Sequence, residues 1–350
     1  MIVSRARYSP VAVCLLCLLS LLPAAPVTDV QADTLISFTD AHTHIARNAG
    51  RKGLEGAVPA ALRLMDELRV TLAILAPPPF PPDRAGAYGA RQLSALVHKY
   101  PGRFAFTAGG DSLNPLIQEV PPQKVTPNLL RRFDQEAEAI VRAGGAGFGE
   151  LTAEHFSSRI GRHPYESAPP DHPLFLALAD IAAKSDMPIE LHMEAVPQDM
   201  PFPNLQLMGP PNPAHLKENI SAFERLLDHN AKARIVWLHA GWDLTGQRTV
   251  PLMRSLLERH PNLYMSLKSD ETGMQRTSPF GLGGEIKPGW VALLRDFPNR
   301  FVIGSDQFFD VNPQRIYGAR KIVDALPPDL ARLVASENVK HIYHLPALPP

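Results

Sequence analysis

Eight short apolar runs punctuate the chain beyond residue 36, at 36–44, 70–76, 104–108, 146–151, 189–194, 235–240, 263–268 and 301–306. Several are continuous rather than alternating, as expected of parallel strands buried on both faces. The stretches between them carry helical spacing. Thr126-Pro127 supplies an N-cap and a first-turn proline, Leu129, Leu130, Phe133, Ala137, Ile140 and Val141 follow, and Gly144 offers a stop. Asn312-Pro313 opens a similar helix bearing Ile316, Ala319 and Val323, and 214–227 and 251–257 have the same character. Eight strand–helix units predict an α/β fold, a single (β/α)8 TIM barrel, with an open doubly wound sheet as runner-up. The first strand–helix connection has no Gly-rich dinucleotide fingerprint, which counts against the open sheet. Three long connections, 152–170, 195–213 and 269–287, follow strands and so belong on the C-terminal face of a barrel, where active sites lie. A helix pair over 324–343 is expected to close the structure.

Composition changes the reading of the N-terminus. Arg5 and Arg7 precede an apolar block from Val11 to Leu22, and Val30-Gln31-Ala32 has the small-x-small character of a cleavage site. Residues 1–32 read as a secretory signal peptide, because the block is short for a bilayer span; an uncleaved membrane anchor is the alternative. Residues 33–350 form the barrel domain. A secreted or periplasmic protein is expected, with no stable membrane insertion after cleavage. Both cysteines, Cys14 and Cys17, lie in the leader. The mature domain therefore has no disulfide, thiolate ligand or cysteine nucleophile, and must rely on a large core. Basic and acidic residues balance at 35 each. Nothing indicates a nucleic-acid partner, and a small-molecule substrate is the expected one. Homo-oligomerisation is left open.

Asp40-Ala41-His42-Thr43-His44 ends the first run. Side chains two apart on a strand share a face, so His42 and His44 aim at a common point, a half-site for a divalent transition metal. Four more strand ends carry groups that are costly to bury unless paired or coordinated: Glu150, His192, His239 and Asp306. Each alone has a bland reading as a packed histidine or a helix cap. Five such strand ends on one barrel face point to a metal site.

These motifs resemble the amidohydrolase superfamily, in particular its amidohydrolase-related branch of metal-dependent TIM-barrel hydrolases. Asp40-x-His42-x-His44, His192, Trp237-Leu238-His239-Ala240-Gly241, Gly304-Ser305-Asp306 and Ser336-Glu337-Asn338 before His341-Ile342-Tyr343 carry the likeness. The resemblance implies metal ligation by His42, His44, His192, His239 and Asp306, with Asp306 also acting as proton shuttle. Glu150 would bridge two ions, His42, His44 and Asp306 holding one and His192 and His239 the other. If Glu150 turned away, a single ion would sit on His42, His44, His192 and Asp306, leaving His239 to orient water or substrate. Two ions are favoured, zinc the expected metal.

The implied reaction is hydrolysis of a small-molecule amide, ester, lactone or phosphoester by an activated water, with Asp306 and His239 as the catalytic residues. Substrate contacts are sought on the loops, at His155, Arg159, Arg162, Lys268, Arg276 and Phe308, where each basic residue also has a reading as a solvated loop charge. Asp40 reads as a hydrogen-bond acceptor behind the ligands. One rival is a metal-dependent decarboxylase of the same branch. A second is a barrel that binds a metal or ligand without turnover.

Overall fold

The computed structural model describes residues 35–51, 53–80, 83–158, 163–205, 212–269 and 275–345. The expected leader lies outside them. Eight parallel strands follow one another around a nearly closed barrel: β1 (Phe38–Thr43), β2 (Val70–Leu75), β3 (Phe104–Gly109), β4 (Gly147–His155), β5 (Ile189–Met193), β6 (Ile235–Ala240), β7 (Leu263–Leu267) and β8 (Phe301–Ile303). The eight expected strands are all present, and the open sheet is excluded. The seam between β8 and β1 closes past the end of β8. There Asp306 N donates to His42 O at 2.9 Å, and His44 N to Gln307 O at 2.7 Å.

Helices wrap the outside: α1 (Val58–Glu67), α2 (Ala90–Lys99), α3 (Leu113–Glu119), α4 (Pro127–Arg142), α5 (Pro173–Ser185), α6 (Ile220–His229), α7 (Val250–Arg259), α8 (Pro288–Asp296) and α9 (Gln314–Ala325). The α4 signals act as read: Thr126 Oγ1 accepts from Leu129 N at 3.2 Å, and Gly144 leaves the helix with φ of +81°. No helix among the described residues is long and apolar enough to cross a membrane.

Several expected boundaries moved. The eighth strand, read over 301–306, ends at Ile303, and Asp306 lies in the turn beyond it. The helix read over 214–227 starts only at Ile220, because His215–Leu216 pairs antiparallel with Met200–Pro201 and Asp199 binds Lys217 and the Glu218 amide. The connection read from 152 is strand as far as His155, and Glu166–Ser167 pairs back onto it. The closing element begins later than 324, which belongs to α9. It comprises α10 (Pro328–Arg332) and α11 (Asn338–Tyr343), joined by a wider helical turn at Leu333–Glu337.

Two apolar layers result. The larger lies between strands and helices, around Phe133, Phe148, Phe175, Phe223 and Trp290. A smaller cluster joins Leu72 and Ile74 of β2, Val236 and Leu238 of β6, and Val302 of β8 to Val339, Ile342 and Tyr343 of α11. Strands on opposite sides of the barrel meet there, so this is its interior, with α11 as the floor. Asn338 Nδ2 fastens that helix by donating to the carbonyls of Pro298 and Phe301, both at 2.8 Å.

Candidate metal centre

Above the apolar floor the interior turns polar. Six strand-end side chains converge, and all are buried: His42, His44, Glu150, His192, His239 and Asp306. They fall into two groups. His42, His44, Glu150 and Asp306 place ligand atoms within 4.8 Å of one another, as do Glu150, His192 and His239.

Glu150 belongs to both groups through different oxygens. Its Oε2 lies 3.5 Å from His44 Nε2 and 3.8 Å from His42 Nε2. Its Oε1 lies 2.7 Å from His192 Nδ1 and 3.4 Å from His239 Nε2. Asp306 Oδ1 completes the first group, 3.1 Å from His44 Nε2. Two ligands bound at about 2.1 Å to one cation sit about 3.0–3.5 Å apart, the range most of these pairs occupy.

The hydrogen bonds behind the imidazoles test whether a cation fits. His44 Nδ1 donates to Ala76 O at 2.8 Å, and His42 Nδ1 to Glu190 Oε2 at 3.0 Å. Both rings thereby turn Nε2 inward. Among the described residues His42 Nε2 has no hydrogen-bond partner, although it is fully buried. A buried ring nitrogen facing a carboxylate beyond hydrogen-bond reach is what a shared cation satisfies, once its proton is displaced. The donor set of imidazoles and carboxylates suits a divalent ion of the zinc or manganese kind.

The electrostatics are strained in the same sense. Burial opposes charge on His42, yet the Glu190 carboxylate, with Glu150 and Asp306, raises it to about 9. Burial likewise opposes charge on His192, and Glu150 and Glu194 raise it to about 9. Burial and the charge of Lys268 push His239 well below its ordinary value. Burial would raise Glu150, but hydrogen bonds from His192 and His239 hold it well below the carboxylate range. Asp306 is also held well below, against burial, by Arg315 and Lys268. The cluster as a whole calls for positive charge.

Backbone geometry marks two of the six. His239 and Asp306 have φ of +66° and +56°, a left-handed conformation costing about 1–3 kcal/mol in residues with a side chain. Asp306 is clamped as well: Lys268 Nζ and Arg315 donate to its Oδ2 at 2.7 and 2.6 Å, and Arg315 also holds its main-chain oxygen at 2.7 Å. Asp40 accepts from Ser305 N at 2.8 Å and from Ser305 Oγ, which steadies the turn that carries Asp306.

The expected substrate contacts divide. His155 stands edge-on to His192, ring centroids 4.3 Å apart, and packs on His163 at 3.9 Å. Burial and the neighbouring imidazoles hold His155 well below its ordinary value. Phe308 stacks on His44 at 4.3 Å. Lys268 is buried, over the Trp242 ring at 3.7 Å, and meets Asp306 directly. Arg276 is solvent-exposed. Arg159 and Arg162 lie outside the described residues.

Three contributors escaped the sequence reading: Glu190 behind His42, Glu194 beside His192, whose Oε1 is 3.8 Å from His192 Nε2, and Arg315 on Asp306. Strand alternation could have found Glu190, because it precedes His192 by two and shares its face. Nothing in the local sequence marks Arg315.

No family model matches the chain, and no curated protein is significantly similar. Solved structures do match. An uncharacterised TIM-barrel protein from Bordetella bronchiseptica aligns with TM-score 0.56 at 12% identity, over 88% of this chain and 99% of that one. A protein from Agrobacterium tumefaciens aligns at 0.51 and 14%, over 89% and 96%. 4-Oxalomesaconate hydratase from Rhodopseudomonas palustris aligns at 0.50 and 12%, over 88% and 95%. At such identities the likeness is one of fold: the chain is a TIM barrel.

Proposed function

We propose that residues 33–350 are a metal-dependent hydrolase of the amidohydrolase-related kind, exported by the leader at 1–32, that cleaves a small-molecule amide, ester, lactone or phosphoester. The observation that carries this reading is the division of Glu150, one oxygen toward each histidine pair. His42, His44, Asp306 Oδ1 and Glu150 Oε2 would hold one ion, and His192, His239 and Glu150 Oε1 a second. Zinc is the ion proposed. Bound there, such an ion would lower the pKa of water to about 7 and polarise the scissile oxygen.

The chain's own residues do the rest. Asp306 lies against the first group and would accept the water's proton, then return it to the leaving group. Lys268 and Arg315 hold its Oδ2 and keep it ionised between turnovers. His155, Phe308 and Trp242 border the cluster and would face the substrate. A decarboxylase would use the same groups, so the two readings are separated by product. The zinc- or manganese-loaded protein should hydrolyse members of a panel of esters, lactones, amides and phosphoesters and release no carbon dioxide from aromatic acids. Carbon dioxide release without hydrolysis would replace the hydrolase reading with the decarboxylase one.

A further inference from the structure

A line of hydrogen bonds runs from His42 through the barrel interior to the floor. His42 Nδ1 and Thr107 Oγ1 both donate to Glu190 Oε2, each at 3.0 Å. Tyr343 Oη donates to Glu190 Oε1 at 2.8 Å. Glu190, His42 and Thr107 are wholly inaccessible, and Tyr343 is 3% exposed. A carboxylate so buried is held by its donors alone, and three are supplied by three separate elements, β1, β3 and α11. Room is reserved for it: a Cβ on Gly149 would lie 2.5 Å from Glu190 Oε2 and 2.6 Å from its Cβ.

The donor at the far end belongs to the closing helix. Tyr343 packs with Ile74, Leu238 and Val302 in the interior cluster, and Asn338 ties the same helix to the start of β8. Burial and the nearby Glu190 carboxylate raise the Tyr343 hydroxyl well above its ordinary value, so it stays a donor.

We propose that Glu190 and Tyr343 are positioning residues for the metal centre. The floor helix, through Tyr343 and Glu190, fixes the ring of His42 so that Nε2 is presented to the cation. The inference rests on the metal reading above. Without the Tyr343 hydroxyl, Glu190 Oε1 is left unsatisfied in an apolar floor. The carboxylate is then free to turn, and turning removes the acceptor that orients His42. The floor of the barrel thereby reaches the metal site at its mouth without touching it.

The test compares Glu190→Gln, Tyr343→Phe and Val339→Ala with the wild-type protein. Zn2+ affinity is measured by chelator competition, and the Nδ1 proton of His42 by imidazole 1H–15N NMR of metal-free protein. Glu190→Gln should weaken Zn2+ binding about 10- to 100-fold and Tyr343→Phe about 10-fold, the range for partners behind a ligand. Tyr343→Phe should also cost His42 its protected low-field Nδ1 proton. Val339→Ala loosens the same helix without entering the chain of bonds. It should lower the melting temperature and leave both readouts at wild-type values. Wild-type readouts for Tyr343→Phe, or an equal loss of affinity in Val339→Ala, overturn the proposal. A wild-type protein that takes up no Zn2+, yet whose His42 proton responds to Tyr343→Phe as stated, sinks the metal reading and upholds the coupling.

Discussion

Glu150→Gln is the sharpest perturbation of the centre, because one substitution acts on both groups. The carboxylate sits between two histidine pairs, 2.7–3.8 Å from four imidazole nitrogens. A divalent ion about 3 Å from that charge gains about 11 kcal/mol of attraction at an effective dielectric of 20. Desolvation and the remaining amide oxygen offset much of it. Removing one partner of a buried charge pair leaves a net cost of about 3–5 kcal/mol, or roughly 10²- to 10⁴-fold in dissociation constant. Both ions feel it. Metal analysis after exhaustive dialysis should find two equivalents of zinc in the wild-type protein and one or fewer in the variant. One equivalent in both proteins would refute the bridging role. Full occupancy in the variant would refute the charge argument itself.

Asp306→Asn should keep the fold and lower turnover at least about 10²-fold on any substrate the hydrolysis panel identifies; near-normal rates would exclude the shuttle. The metal-free protein should lose thermal stability as pH rises from about 6.5 to 9. His42 and His192 have folded values of about 9, above the 6.5 of the unfolded chain, so their contribution is complete below 6.5 and lost through 9. Zinc binding should show the opposite trend, strengthening with pH as the competing protons leave; melting curves with and without zinc across that window check both signs. Asn338→Ala removes both bonds that fasten the floor helix to Pro298 and Phe301, and should cost about 1–3 kcal/mol in urea unfolding. An unchanged midpoint would show that the helix is held by its apolar face alone.

Much of the fold could be read from local pattern. The eight apolar runs are strands because continuous burial on both faces leaves that signature in each segment separately. Thr126, Pro127 and Gly144 marked their helix because caps act within a few residues. Where pattern misled, a distant partner had intervened. Residues 214–219 have helical character, yet His215–Leu216 pairs with Met200–Pro201 and Asp199 captures Lys217. The six candidate ligands were visible because ionisable groups do not belong at the ends of buried strands. Glu190 was visible in principle by the same alternation that singled out His42 and His44.

What the sequence determined by itself was therefore which segments become strands and which polar side chains they carry to the barrel mouth. Tertiary structure alone decided how those side chains share their partners. Glu150 divides its oxygens between two histidine pairs, Lys268 and Arg315 meet on one oxygen of Asp306, and Tyr343 reaches His42 through Glu190. Periodicity acts over a handful of residues, whereas these contacts join positions as far as 153 apart and exist only once the barrel closes.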